Sequence, residues 1–123
     1  MANILVIEDN PNNMKLAVFL LESSGHAVLQ AYDAKTGIHL AKDHQPELIL
    51  MDIQLPGMDG LTATGLLKND ASTRDIQIIA LTAFAMKGDD EKMLAAGCDG
   101  YIAKPIHHQE FLDTIKAALV RSQ

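Results

Sequence analysis

Leu48-Ile49-Leu50-Met51-Asp52-Ile53-Gln54-Leu55-Pro56-Gly57 is the stretch that decides the fold. Four apolar residues without a polar break suit a strand buried on both faces, as in a parallel sheet covered by helices. The run stops at a carboxylate, and Pro56-Gly57 signals a turn. An ionised carboxylate at the end of such a strand is strongly disfavoured unless it is paired. Asp52 therefore calls for a counter-ion, a chemical use, or both.

Outward from this strand, apolar runs alternate with helical patterns. Ile4–Ile7, Ala27–Ala31, Leu48–Met51, Ile76–Leu81 and Tyr101–Ala103 are strand-like. Helix-like stretches lie near Pro11–Ser24, Ala34–Asp43, Gly60–Asn69, Gly88–Ala96 and His107–Arg121. Five βα units predict an α/β fold, a doubly wound parallel sheet with helices on both faces. Local signals agree. Asn10 before Pro11 reads as an N-cap with proline in the first turn. Gly25 sits where the first helix should stop, and Pro46 separates the second helix from the third strand. Phe111, Ile115 and Leu119 recur at helical spacing and should lay a stripe on the sheet. Residues 1–123 show no repeat or linker and read as one domain.

Bulk properties exclude several classes. Hydrophobic residues make up 48% of the 123-residue chain, and mean hydropathy is +0.06, which fits a globular protein rather than a disordered one. No apolar run approaches the ~20 residues of a membrane span, and the N-terminus lacks the basic region of a signal peptide. The net charge of −6 argues against nucleic-acid binding. A single cysteine, Cys98, excludes an internal disulfide, reads as a small buried hydrophobe and fits a reducing cytoplasm. The five histidines show no metal-ligand pattern; His107 and His108 read as flanking or capping the last helix.

In such a sheet, ligands bind beyond the carboxyl ends of the strands. Those ends carry Glu8 and Asp9, then Asp52, then Thr82 with small Ala83 after it, then Lys104-Pro105. Three carboxylates, a hydroxyl and an ammonium should converge on one rim. A hard divalent cation relieves the repulsion, and an all-oxygen site suits magnesium, which keeps several waters. Asp9 and Asp52 are candidate direct ligands, with Glu8 acting through water. The metal and Lys104 would neutralise a phosphoryl group beside Asp52. Thr82 and Ala83 would line that group, with Thr82 donating a hydrogen bond. Aspartate itself can act as the nucleophile and form an aspartyl phosphate.

The motifs Val6-Ile7-Glu8-Asp9-Asn10, Leu50-Met51-Asp52-Ile53-Gln54-Leu55-Pro56, Leu81-Thr82-Ala83 and Lys104-Pro105 resemble the receiver domain of two-component response regulators over essentially the whole chain. Within that family, Met14-Lys15-Leu16 and Thr82-Ala83-Phe84-Ala85-Met86-Lys87-Gly88-Asp89 resemble the stand-alone DivK-like type of bacterial signalling. The resemblance implies a flavodoxin-like receiver fold, with five strands in order 2-1-3-4-5 and five helices. It implies that Asp52 takes a phosphoryl group from a phosphohistidine of a histidine kinase or histidine phosphotransfer protein, with Mg2+ required and Mn2+ as a substitute. It implies that Asp9, Asp52 and the backbone carbonyl of Gln54 hold the metal. Lys104 would contact the phosphoryl group, and the bond to Pro105 would be cis.

Phosphorylation adds charge and acceptor oxygens, so Thr82 should move toward the modified Asp52 while Tyr101 fills the vacated space. Gln54 and Phe84, each two residues beyond a site residue, should flank the path of the hydrolytic water, and apolar Phe84 should slow self-dephosphorylation. On the first helix, Lys15, Glu22 and Ser23 define a polar arc; Phe19 falls inside it, and Met14 and Val18 border it. An aromatic on a solvated face marks a binding surface, here for a helical partner. The expected product is a cytoplasmic signalling switch, monomeric or weakly dimeric, with a downstream protein partner and no membrane contact.

Three other readings compete. A receiver unit of a hybrid histidine kinase would carry the same residues. An aspartate-nucleophile phosphatase of the haloacid-dehalogenase type needs a second aspartate two residues after the first, where this chain has Gln54. A flavodoxin-like cofactor binder would need a Gly-rich phosphate loop after the first strand, where the acidic pair stands instead.

Overall fold

The computed structural model describes residues 2–83 and 89–121. Five strands, β1 (Asn3–Ile7), β2 (Ala27–Ala31), β3 (Leu48–Asp52), β4 (Gln77–Thr82) and β5 (Gly100–Ala103), alternate with five helices. These are α1 (Pro11–Ser23), α2 (Ala34–His44), α3 (Gly60–Asn69), α4 (Asp89–Ala96) and α5 (His108–Arg121). All strand pairs are parallel, and the order is β2-β1-β3-β4-β5. Every predicted element is present. β3 extends one residue further than its apolar run, because Asp52 still pairs with Leu81. β4 runs one residue later than expected at both ends, since its register sets Gln77 against Leu48.

Alternation along each strand divides the core in two. Ile4, Val6, Leu48, Leu50, Ile79 and Leu81 face α1 and α5, where they meet Met14, Ala17, Leu21, Phe111, Ile115 and Ala118. Leu5, Ile7, Ile49, Met51, Ile78 and Ala80 face the other layer, with Ala34 and Ala41 of α2, Ala63 and Leu67 of α3, and Met93 of α4. The Phe111–Ile115 stripe is buried, and Leu119 packs at its margin. Cys98 is buried in the second cluster, and burial pushes its thiol up from the ordinary value.

Helix ends are closed as their sequences require. Asn10 Oδ1 accepts the N–H groups of Asn12 and Asn13 at 2.9 and 3.1 Å. At the other end of α1, Gly25 adopts φ 91°. Its N–H donates to Glu22 and that of His26 donates to Leu21, a Schellman closure. Strand order reverses between β1 and β3, so the crevice beyond Ile7 and Asp52 lies at the topological switch point. No helix among the described residues is long and apolar enough to cross a membrane.

One glycine fixes how closely α3 approaches the end of β3. A Cβ at Gly60 would overlap the Asp52 carbonyl oxygen and lie 2.7 Å from Ile53 Cα. Gly65, in the same helix, has nothing within 4 Å of such a Cβ. Gly60→Ala is therefore expected to destabilise the fold by about 1–3 kcal/mol. Gly65→Ala should stabilise it by roughly 0.5–1 kcal/mol, as helix-interior Gly→Ala changes do. Urea unfolding of the two variants checks the contrast; equal effects would remove the close approach as the cause.

Candidate functional site

Each site residue stands where a strand ends. β1 delivers Glu8 and Asp9, β3 delivers Asp52, β4 delivers Thr82, and the residue after β5 is Lys104. Glu8 N–H donates to Ala31 at 3.0 Å, which keeps the chain on the sheet for one residue past Ile7. Lys104 N–H donates to the Thr82 carbonyl at 2.7 Å, so these two rim residues share a backbone link. The Lys104–Pro105 peptide is cis, as expected.

The charges meet at short range. Lys104 Nζ lies 2.8 Å from Glu8 Oε1 and 3.3 Å from Asp52 Oδ1. Glu8 is fully buried and Asp52 is 2% exposed, whereas Asp9 is exposed. Carboxylate oxygens of Glu8, Asp9 and Asp52 lie within 4.8 Å of one another. Asp52 Oδ1 also accepts the Gln54 N–H at 3.0 Å, and Glu8 Oε2 accepts the Asn10 N–H at 3.3 Å. Thr82 is buried beside them, and Ala83 is exposed.

Burial and the close charges together set the protonation of Glu8, Asp52 and Lys104. Burial, then a hydrogen bond to Asp52, push the Glu8 carboxyl up to about 7 against the opposing pull of Lys104. Burial also raises Asp52, but its hydrogen bonds with Glu8 and Gln54 N–H, with the Lys104 charge, outweigh burial and hold it below the ordinary value. Burial lowers Lys104, but the two carboxylates outweigh it and hold the ammonium above its usual value. Near neutral pH, Glu8 thus keeps a share of its proton, chiefly because it is buried and secondly because Asp52 lies beside it. The donor set fits a hard divalent cation, because its oxygen ligands are clustered and one ammonium does not neutralise three carboxylates.

The structure brings together Glu8, Asp9, Asp52, Thr82, Ala83 and Lys104, with Gln54 in the adjoining turn. Phe84 lies outside the described residues, as does most of the run after Ala83. Tyr101 is 45% exposed and pairs with Ala80, two register steps before the Thr82–Ala103 pair. On α1, Phe19 is 61% exposed and Val18 is half-buried, but Met14 is a correction: it is 1% exposed. Met14, Ala17 and Leu21 recur at i, i+3 and i+7 and face the sheet, so Met14 belongs to the core, though it also contributes to the lining of the groove beside Phe19. The residue that sequence reasoning missed is Tyr32, half-exposed across a groove from Phe19. That groove has a volume of ≈ 390 Å³ and also includes Pro11, Lys15 and Glu22 in its lining. Tyr32 lies beyond the end of β2, and only the strand order brings it beside α1. The pairing of Lys104 with Glu8 was likewise unread, although the acidic pair offered the signal.

The chain matches the response regulator receiver domain over residues 4–116. It belongs to that family. The receiver is 47% identical over 117 residues to the polar-differentiation response regulator DivK of Brucella anthropi, covering 95% of each chain. Among solved structures, it superposes on the receiver domain of sensor histidine kinase PA1611 from Pseudomonas aeruginosa with TM-score 0.90, 35% identity and coverage of 97% and 98%. That structure holds a magnesium ion coordinated in its active-site cleft. A CheY-like receiver domain protein from Methanospirillum hungatei aligns with TM-score 0.91 and 27% identity, over 99% and 96% of the two chains. The receiver is thus a signalling-switch module with a clustered acidic pocket at the switch point of its sheet.

The raised Glu8 value has a sign that stability measurements can read. Below pH 4.5, the ordinary value, folded and unfolded forms both hold the proton; between 4.5 and about 7 only the folded form does. Its contribution to stability is therefore full at low pH and is lost as pH rises through about 7. In the presence of a chelator, Glu8→Gln should gain stability relative to the parent protein across that window. The expected gain is on the order of 1–3 kcal/mol. Urea unfolding at pH 4.5 and 7.5 measures it; parallel profiles for the two proteins would contradict the assignment.

Proposed function

We propose that residues 1–123 form a receiver that accepts a phosphoryl group onto Asp52 from a phosphohistidine of a histidine kinase or phosphotransfer protein. The observation that carries this reading is the Asp52 carboxylate at the strand end, held 3.3 Å from Lys104 and within 4.8 Å of two further carboxylates. An Asp52 carboxylate oxygen attacks phosphorus, the P–N bond breaks, and the departing imidazole regains its neutral form by taking up a proton. Asp9, Asp52 and the Gln54 carbonyl would hold Mg2+, with Mn2+ as a substitute and Glu8 acting through water. When bound, the cation supplies neutralisation of the phosphoryl oxygens beside Asp52. Lys104 shifts its charge from the Asp52 carboxylate to a phosphoryl oxygen. Thr82 donates its hydroxyl to another, with Ala83 lining the same edge.

The same residues make the switch. Thr82 moves toward the phosphoryl group, and Tyr101 turns inward to take its place, which shifts a pre-existing equilibrium rather than creating a new state. Gln54 and Phe84 set the phosphoryl lifetime by flanking the path of water. The receiver catalyses only its own phosphorylation and dephosphorylation. A helical phosphodonor packs against α1 through Phe19 and Val18, a reading supported by the groove between Phe19 and Tyr32. The net charge of −6 and the buried Cys98 support a cytoplasmic module that acts on a downstream protein, as monomer or weak dimer, without nucleic acid or membrane. A second reading, a receiver unit of a hybrid kinase, draws on the 35% identity to the PA1611 receiver and leaves the site chemistry unchanged.

Intact-mass analysis with a small phosphodonor tests the central step. One phosphoryl adduct is expected with Mg2+, none with chelator and none in Asp52→Asn. Lys104→Ala should slow its formation roughly 100-fold, as loss of a charge-stabilising donor does. No adduct under any donor would remove the proposed reaction. Thr82→Ala should still form the adduct but lose the phosphorylation-dependent gain in partner binding. A calorimetric comparison of phosphorylated and free protein reads that coupling, and a gain that survives the substitution would disconnect Thr82 from the switch.

A further inference from the structure

Asn10 fastens two things at once. Its side chain closes the start of α1 by accepting from Asn12 and Asn13, and its carbonyl accepts the Met14 N–H at 2.9 Å. Its own N–H points the other way and donates to Glu8 Oε2 at 3.3 Å. The second oxygen of that carboxylate faces Lys104. Glu8 is therefore held at both oxygens, once by the α1 cap and once by the ammonium that follows β5. Asp9 sits between two anchored neighbours: Glu8, bonded to β2 through its N–H, and Asn10, bonded to the helix. Pro11 has no N–H and a fixed φ, so Asn12 and Asn13 are the donors that the cap must satisfy.

We propose that Asn10 is a positioning residue for the cation site: its capped, extended conformation fixes the carboxylates of Glu8 and Asp9 without itself touching the metal. Backbone φ −82° and ψ 118° at Asn10 direct its amide toward Glu8, and the side-chain cap holds that conformation. Without the cap, the first turn of α1 frays and both carboxylates lose their orientation. Outer residues that orient ligands in this way change metal affinity without ligating. The inference rests on the divalent-cation reading given above.

The test separates positioning from a general loss of helix capping. Mg2+ binding is measured by titration calorimetry on the full chain for the parent, Asn10→Ala and Asn10→Ser. Asn10→Ala should weaken binding roughly tenfold, and Asn10→Ser, which retains a capping oxygen, should restore most of it. Asp33 caps α2 in the same manner, through Thr36 N–H at 2.7 Å, and serves as the control. Asp33→Ala compared with Asp33→Asn, which keeps the cap, should leave Mg2+ affinity within about twofold. Amide hydrogen exchange in metal-free protein should quicken at Asn12 and Asn13 in Asn10→Ala alone. Unchanged Mg2+ affinity in Asn10→Ala, an equal loss on uncapping α2, or failure of serine to rescue would each overturn the proposal. Absence of Mg2+ binding in the parent protein would instead sink the cation reading on which it rests.

Discussion

The Lys104 ammonium, placed between Glu8 and Asp52, is the interaction on which the site depends. Two buried carboxylates this close would repel each other, and either one unpaired would be costly to hold away from water. Lys104, 2.8 Å from Glu8 and 3.3 Å from Asp52, offsets that cost, and its position is set by topology. β5 lies at the far edge of the sheet from β2, with β4 between it and β3. Only the parallel order lets the chain after β5 return to a rim formed by β1 and β3. The backbone link from Lys104 to Thr82 then fixes the height at which the ammonium stands.

The apolar layers keep that rim rigid. β3 is buried from Leu48 to Asp52, so its carboxylate cannot shift without moving side chains of both cores. Close approach reinforces this. A Cβ at Gly37 would overlap Ile7, which lets α2 lie tight on the residue before Glu8, and Gly60 does the same for α3 beneath Asp52. Both acidic strand ends therefore lean on a closely packed helix, and at Gly60, where the overlap would be with backbone, only glycine allows the approach. Preorganised charge is useful only on such a frame, because reorganisation would consume the stabilisation it offers.

Much of this was legible in the sequence because buried parallel strands read as unbroken apolar runs. Leu48–Met51 and Ile4–Ile7 identified the central strands, and the residue after each run was a charge. Asn10, Pro11 and Gly25 marked both ends of α1 through backbone chemistry that is local by nature. What stayed hidden depends on tertiary placement. Met14 borders the polar arc of α1 by angle alone, yet the breadth of the sheet beneath it draws it into the core. Tyr32 lies on a loop whose neighbour is set by β2 pairing with β1, a long-range fact without a local signature. The raised Glu8 value also needed three dimensions, since it follows from burial and from a neighbour 44 positions away in the chain.

The position of Lys104 links the site to the proposed switch. Lys104 lies closer to Glu8 than to Asp52. A phosphoryl group on Asp52 would add negative charge on the far side of the ammonium and draw Lys104 away from Glu8. Because Lys104 N–H is bonded to the Thr82 carbonyl, such a movement bears directly on the end of β4. Because Glu8 Oε2 is bonded to Asn10, it bears equally on the start of α1. The proposed displacement of one ammonium would thus bear on both the end of β4 and the start of α1. The proposed coupling needs no separate relay, since each of these links is a hydrogen bond or ion pair at the rim.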